Sequence, residues 1–431
     1  MPKCINYKGW KVWVLENQWI KLFVAPQLGG RLIQLDMNGY EFFFVNSLLA
    51  GKEPDSTRLG ENGTWLNYGG EKIWPAPQGW ISPDEWPGPP DPVLDGGEYL
   101  LEFSENKNEL KMTSPFDEYT GLQISKEVSV SEKINEIKIT GSFRNGSDVV
   151  RSWSVWPVLQ LNAAGDVSGR YQIICPPAMK SKFTEGYKIM HGLVNNPQYK
   201  TDENGNVCVE YQYLVGKIGL DTDSNWAAFI DTNTGKVFTL MFRLQENQVY
   251  PEDTSFQIWT SGRGMVYSRN TIRQHPDDQV QNPPYMEMEL LSPLKEINPG
   301  EQERFEYRIL TTTIPEKKSV KSVNGVGTIA ASLQVDTTND RALLRASYGV
   351  FSEGILKICL KGISGDKPSV YLFETKVTPL EGIEIEISVD KKYLSGKEIC
   401  IATELYDNDG QFVGEIENIE IKDYSNEYQK V

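Results

Sequence analysis

Short runs in which apolar or β-branched residues alternate with polar ones follow one another along most of the chain, each closed by Gly, Asn, Asp or Pro. Period-two patterning of this kind is what a half-buried strand requires, and hardly any helical periodicity interrupts it. Strands are predicted over 11–15, 20–25, 31–36, 41–45, 122–130, 136–143, 152–161, 171–175, 226–231, 236–244, 256–261, 285–291 and 305–312. Turn signals such as Asn204-Gly205 and Asn233-Thr234-Gly235 separate them. An open twisted sheet with that many strands would curl or split, so the pattern predicts an all-β fold with two large packed antiparallel sheets.

At 431 residues the chain exceeds the usual size of one domain. The polar, basic segment Pro315 to Lys321 follows the last long strand and serves as the linker, giving domains 1–317 and 318–431. Beyond the linker come short strands over 328–335, 341–347, 354–360, 369–374, 383–389, 398–405 and 413–421, the scale of a small immunoglobulin-like β-sandwich. This second domain has no tryptophan and no catalytic constellation, and it reads as a structural or protein-partner module.

Charge and motif content exclude several classes of function. A net charge of -16 without clustered Lys and Arg argues against nucleic-acid binding, and no apolar run is long enough to span a bilayer. Cys4, Cys175, Cys208, Cys359 and Cys400 are scattered without ligand spacing and read as buried thiols; with no leader-like start, the expected location is cytoplasmic. Phosphate loops, HExxH, Gly-x-Ser-x-Gly and EF-hand loops are missing, and Tyr406 to Gly410 reads as a hairpin turn, so no cofactor or metal is expected.

Residues 65–92 hold four of the eleven tryptophans and seven of the twenty-four prolines. Prolines lower the entropy lost on fixing a loop, and indoles are costly on a mobile surface, so this tract reads as an ordered loop forming a preformed binding wall. Sugars suit such a wall, because their C–H faces stack on indoles while their hydroxyls need nearby amide, carboxylate and ammonium groups. Trp65 and Trp74 supply the first kind of surface, and Asn67, Tyr68, Glu71 and Lys72 the second.

Several runs carry a family resemblance: Pro26 to Ile33 (PQLGGRLI) in an early hairpin, Gly69 to Pro77 (GGEKIWPAP), Trp153 to Gln160 (WSVWPVLQ), Tyr250-Pro251, and Tyr285 to Pro293 (YMEMELLSP) followed by Pro299-Gly300-Glu301. In order and spacing they resemble the galactose-mutarotase-like, aldose-epimerase-type supersandwich and, within it, the DUF4380 family. The resemblance covers most of the first domain and implies a cofactor-independent isomerase: a carboxylate takes the anomeric hydroxyl proton and a histidine protonates the ring oxygen. Glu289 matches the base position. Glu287 shares its strand face, and Arg31 and Trp156 join the wall residues as ligand contacts.

The strand expected to carry the family histidine has none, and the chain holds just His191 and His275. Either His275 reaches the site as the acid from the polar loop 273–278, or Lys72 or Tyr68 takes that role, or the domain binds a sugar without turning it over. Two alternatives stand beside the isomerase: a glycosidase or polysaccharide-lyase-related accessory domain, and a non-catalytic sugar-binding or scaffold module.

Overall fold

The central strands of the larger sheet are buried on both sides. In Tyr285–Leu290 every residue is shielded, with Met286, Met288 and Leu290 on one face and Tyr285, Glu287 and Glu289 on the other. The computed structural model describes residues 2–54, 65–105, 108–165, 169–245, 247–268, 271–338, 340–362, 370–394 and 399–421. The chain divides into two compact units, residues 1–132, 136–229 and 240–309, and residues 133–135, 230–239 and 310–431.

The first sheet lies wholly in the first unit. Its order is Lys3–Tyr7, Trp10–Glu16, Ile20–Ala25, Arg31–Met37, Glu71–Ala76, Arg151–Asn162, Tyr285–Leu290, Phe256–Thr260, Gly216–Leu220 and Lys188–Gly192, each paired antiparallel with the next. A ten-stranded sheet includes Leu122–Val130, Glu136–Asn145 and Gln302–Thr313. Within the first unit the strand Glu136–Asn145 packs against the first sheet, where Gly141 leaves room for the buried side chains of Ile73 and Val155. One buried polar network sits among them: Glu71 of the first sheet accepts from Lys126 Nζ at 2.7 Å and from the Tyr307 hydroxyl at 2.5 Å, both on the second sheet. Lys126 also donates to Gly30 O at 3.0 Å, so this buried cation is hydrogen-bonded on two sides.

Three expectations need correction. The pattern predicts a loop throughout 65–92, but Glu71–Ala76 is a central strand, reached through Gly69 and Gly70 at φ 97° and 73°. A Cβ at Gly69 would fall 1.9 Å from Phe44 O and one at Gly70 2.5 Å from Leu32 O, so both glycines permit a close backbone approach. The expected strand 41–45 is reduced to Tyr40–Glu41, with single bridges at Phe43 and Val45. Of the five free cysteines, Cys4 is exposed rather than buried, because its strand Lys3–Tyr7 is at the sheet edge.

The second unit holds two four-stranded sheets. One runs Ser322–Val323, Gly327–Thr337, Arg341–Val350, Ile383–Asp390; the other runs Val370–Val377, Gly354–Gly362, Ile399–Tyr406, Phe412–Glu420. Leu344, Tyr348, Leu356, Ile358, Ile401 and Leu405 are in their shared core. Ser369 and Glu398, where two expected strands begin, lie outside the described residues. Among the described residues no helix is long and apolar enough to cross a membrane.

Candidate functional site

In an antiparallel pair, residues directly opposite each other project to the same face, so the register of the first sheet shows which side chains share its outer surface. Trp74 lies opposite Trp156, and Lys72 opposite Val158. Val158 lies opposite Glu289, and Gln160 opposite Glu287. Glu289 is opposite Gln257, and Glu287 opposite Trp259. Trp259 in turn is opposite Lys217, and Lys217 opposite His191. Six neighbouring strands thus gather two carboxylates, two lysines, two glutamines, three indoles and one imidazole on one face.

The carboxylates are held differently. Glu289, 1 % exposed, accepts the Trp156 indole N–H at 3.0 Å and Lys217 Nζ at 2.8 Å, both on Oε2. Glu287 accepts Gln160 Nε2 at 2.7 Å and faces Lys72 Nζ at 3.7 Å. Burial pushes Glu287 above the usual carboxylate range; Lys72 pulls the other way, and the nearby Glu289 adds to the rise. Burial likewise pulls Lys72 down to about 8, partly opposed by the Glu287 charge. For this pair desolvation outweighs attraction, so both partners move toward their neutral forms. Lys72 Nζ lies 4.6 Å from the Trp74 ring centroid and 5.7 Å from that of Trp65. Its Nζ and the Gln160 Oε1 are buried without a hydrogen bond.

The segment that follows the Glu71–Ala76 strand closes over this face through Asp95, which is 4 % exposed. Asp95 Oδ1 accepts Arg31 Nη2 at 2.7 Å and the Trp74 indole N–H at 2.9 Å, and Oδ2 accepts the Trp65 indole N–H at 3.0 Å. Trp74 packs against Trp65, Trp86 and Trp156 with ring centroids 5.9, 5.1 and 5.6 Å apart. The tryptophans of the tract are therefore first of all the fastening of a cover.

Of the residues singled out from sequence, Glu287, Glu289, Lys72, Trp74 and Trp156 come together, with Trp65 above Lys72. Arg31 shares the neighbourhood but is fully buried, and its guanidinium is engaged by Asp95 and by the carbonyls of Gly69, Leu28 and Asp95. Tyr68 packs against Trp10 and Arg31, and burial raises its hydroxyl to about 12. His275 is not in a loop: it ends the second strand of a hairpin, Gly264–Ser268 with Thr271–His275, apart from the sheet strands that carry Glu289. Burial lowers its pKa. Lys217, Gln257, Trp259, Gln160, His191 and Asp95 were not legible as site residues from sequence. An alternating run opposite an assigned Glu strand is the signal that would have found Gln257 and Trp259.

Two openings border this surface. One of about 110 Å³ lies over Trp156, Lys217 and Gln257, with Trp80 on its wall. Another of about 580 Å³ lies beside the hairpin and is lined by His275. The smaller one is walled by Trp156 and Lys217, the two side chains that hydrogen-bond Glu289. No group of three or more His, Cys, Asp or Glu arranged to hold a metal ion occurs among the described residues.

A family model described as Domain of unknown function (DUF4380) matches residues 11–309. Among solved structures, the fold is similar to a TPR-domain containing protein from Parabacteroides distasonis, at 16% identity and a TM-score of 0.48, covering 73% of this chain and 49% of that one. The chain thus spans about half the length of that protein. It is also similar to a galactose mutarotase-like protein from Lactobacillus casei (11% identity, TM-score 0.45, 70% of this chain and 99% of that chain). A galactose mutarotase-like protein from Clostridium acetobutylicum gives 11% identity, a TM-score of 0.44, and coverage of 73% and 99%. No protein of curated function matches the sequence.

Proposed function

The chain belongs to the DUF4380 family, and from the chemistry of its sheet face we propose that it binds a carbohydrate there and exchanges protons at the anomeric centre, as an aldose mutarotase or epimerase does. One observation carries this reading. Around Glu287, a buried ammonium donor (Lys72 Nζ) and a buried amide acceptor (Gln160 Oε1) both lack a hydrogen bond, beside a second carboxylate that is anchored by an indole and a lysine. A sugar hydroxyl both donates and accepts, so it satisfies such a pair where an apolar ligand or a simple ion does not.

The proposed reaction uses Glu289 as base and Lys72 as acid. The Glu289 carboxylate takes the proton of the anomeric hydroxyl, the bond between the anomeric carbon and the ring oxygen breaks, and the ring oxygen takes a proton from the Lys72 ammonium. The open aldehyde turns about its terminal C–C bond, and the same two groups run the steps in reverse. An ammonium of pKa about 8 suits proton exchange near neutral pH. Tyr68, raised to about 12, suits it less.

The test is anomeric exchange followed by two-dimensional NMR on a panel of neutral and acidic monosaccharides. Acceleration by the wild type, lost in Glu289→Gln, is the expected result. Saturable binding with no acceleration would instead make the protein a sugar-binding module, and activity confined to oligosaccharide cleavage would favour a glycosidase or lyase role. The cytoplasmic setting and a protein partner for residues 318–431 belong to the same proposal.

A further inference from the structure

The row of side chains that forms the candidate site does not stop at Lys217. His191 is its next member across the sheet. The His191 ring lies 5.3 Å from Trp259 and 5.1 Å from Tyr267, centroid to centroid, and its Nε2 meets Met265 O at 2.8 Å. Met265 and Tyr267 line the cavity of about 580 Å³, which therefore continues the carboxylate row. From the strand of Glu287 to that of His191 there are three inter-strand steps, a span of about 14 Å.

Resting on the carbohydrate reading above, we propose that the ligand is an oligosaccharide. Its terminal ring sits at Glu287 and Glu289, and the following rings cross Trp259 and His191 to end against Tyr267 in the larger cavity. Three observations point this way. The span is longer than one sugar ring. The side chains along it are rings, each in contact with the next: Trp259 and His191 are half-buried, and Tyr267 is 62% exposed. Such faces stack on successive sugar rings whatever their hydroxyl pattern. The cavity walls are also mixed as a sugar needs them, with Leu193, Val215 and Met265 beside the Arg263–Asp277 ion pair at 2.8 Å.

The experiment is calorimetric titration of the full chain with glucose, galactose and their β-1,4-linked di-, tri- and tetrasaccharides, repeated with Tyr267→Ala. Tyr267 is an exposed hairpin residue, so this variant folds. Affinity should rise about tenfold or more from mono- to trisaccharide, the size of one or two aromatic contacts, and in the variant most of that gain should vanish. Equal affinity for mono- and trisaccharides overturns the oligosaccharide assignment and leaves the monosaccharide reading standing, and a gain that survives Tyr267→Ala overturns the path of the outer rings across His191 to Tyr267. No binding by any member of the series overturns both.

Discussion

Lys72 is the side chain whose behaviour the sheet face controls most. Its folded pKa of about 8 lies below the ordinary 10.5 because the ammonium is desolvated. Between these values the unfolded chain holds more protons than the folded one, so stability rises with pH through that window, and the desolvation penalty is fully present below about 8. Urea midpoints measured over about three pH units, from about pH 7.5 to about 10.5, should therefore show the wild type gaining on Lys72→Met as pH rises; a pH-independent difference would contradict the burial argument. The catalytic version adds a second sign: protonated Lys72 is the active form, so anomeric exchange should fall as pH rises through about 8. Replacing the Glu289 carboxylate by an amide should lower exchange by roughly 10²-fold or more, the usual contribution of a positioned base. At this scale the sequence was informative where alternation alone decides. Glu287 and Glu289 share a face because they stand two apart in one strand, and that is readable without a fold. The role of Arg31 was not, because Asp95 lies 64 residues away.

At the scale of elements, the cover over the sheet face depends on a buried ion pair. Arg31→Met would leave Asp95 charged, shielded and short of its strongest donor, a change of about 3–5 kcal/mol for a pair of this kind. Denaturant unfolding should show it, whereas Arg345→Met, which breaks surface pairs with Asp336 and Glu386, should change stability by less than about 1 kcal/mol. Equal effects would mean that Asp95 finds other partners. Three of the strands that sequence reading missed share a physical cause. Glu71–Ala76 has two glycines before it and a proline inside it, which are loop signals; close backbone approach at Gly69 and Gly70 makes it a central strand. Gly216–Leu220 and Lys188–Gly192 are short, glycine-bearing and, in the second case, bulged at the pairing with its neighbour, so their alternation is weak. Their loss hid Lys217 and His191.

On the scale of the whole molecule, the tryptophans offer a natural probe of organisation. All eleven precede residue 260. If residues 318–431 form an independently folding domain, as we propose, heating should give a circular-dichroism transition that tryptophan fluorescence does not register; coincident transitions would argue for one cooperative unit. The all-β class was legible because alternation is local. The face shared by Lys72, Glu287, Glu289 and Lys217 was not fully legible, because register between distant strands is set by the assembled sheet. That shared face is the central claim, and calorimetric titration of the monosaccharide panel against wild type and Glu287→Gln/Glu289→Gln tests it most directly. Saturable binding by the wild type that is lost in the double variant, with the β circular-dichroism spectrum of a folded chain retained, is the predicted result; binding that persists undiminished in the double variant would place the sugar site elsewhere and contradict the account.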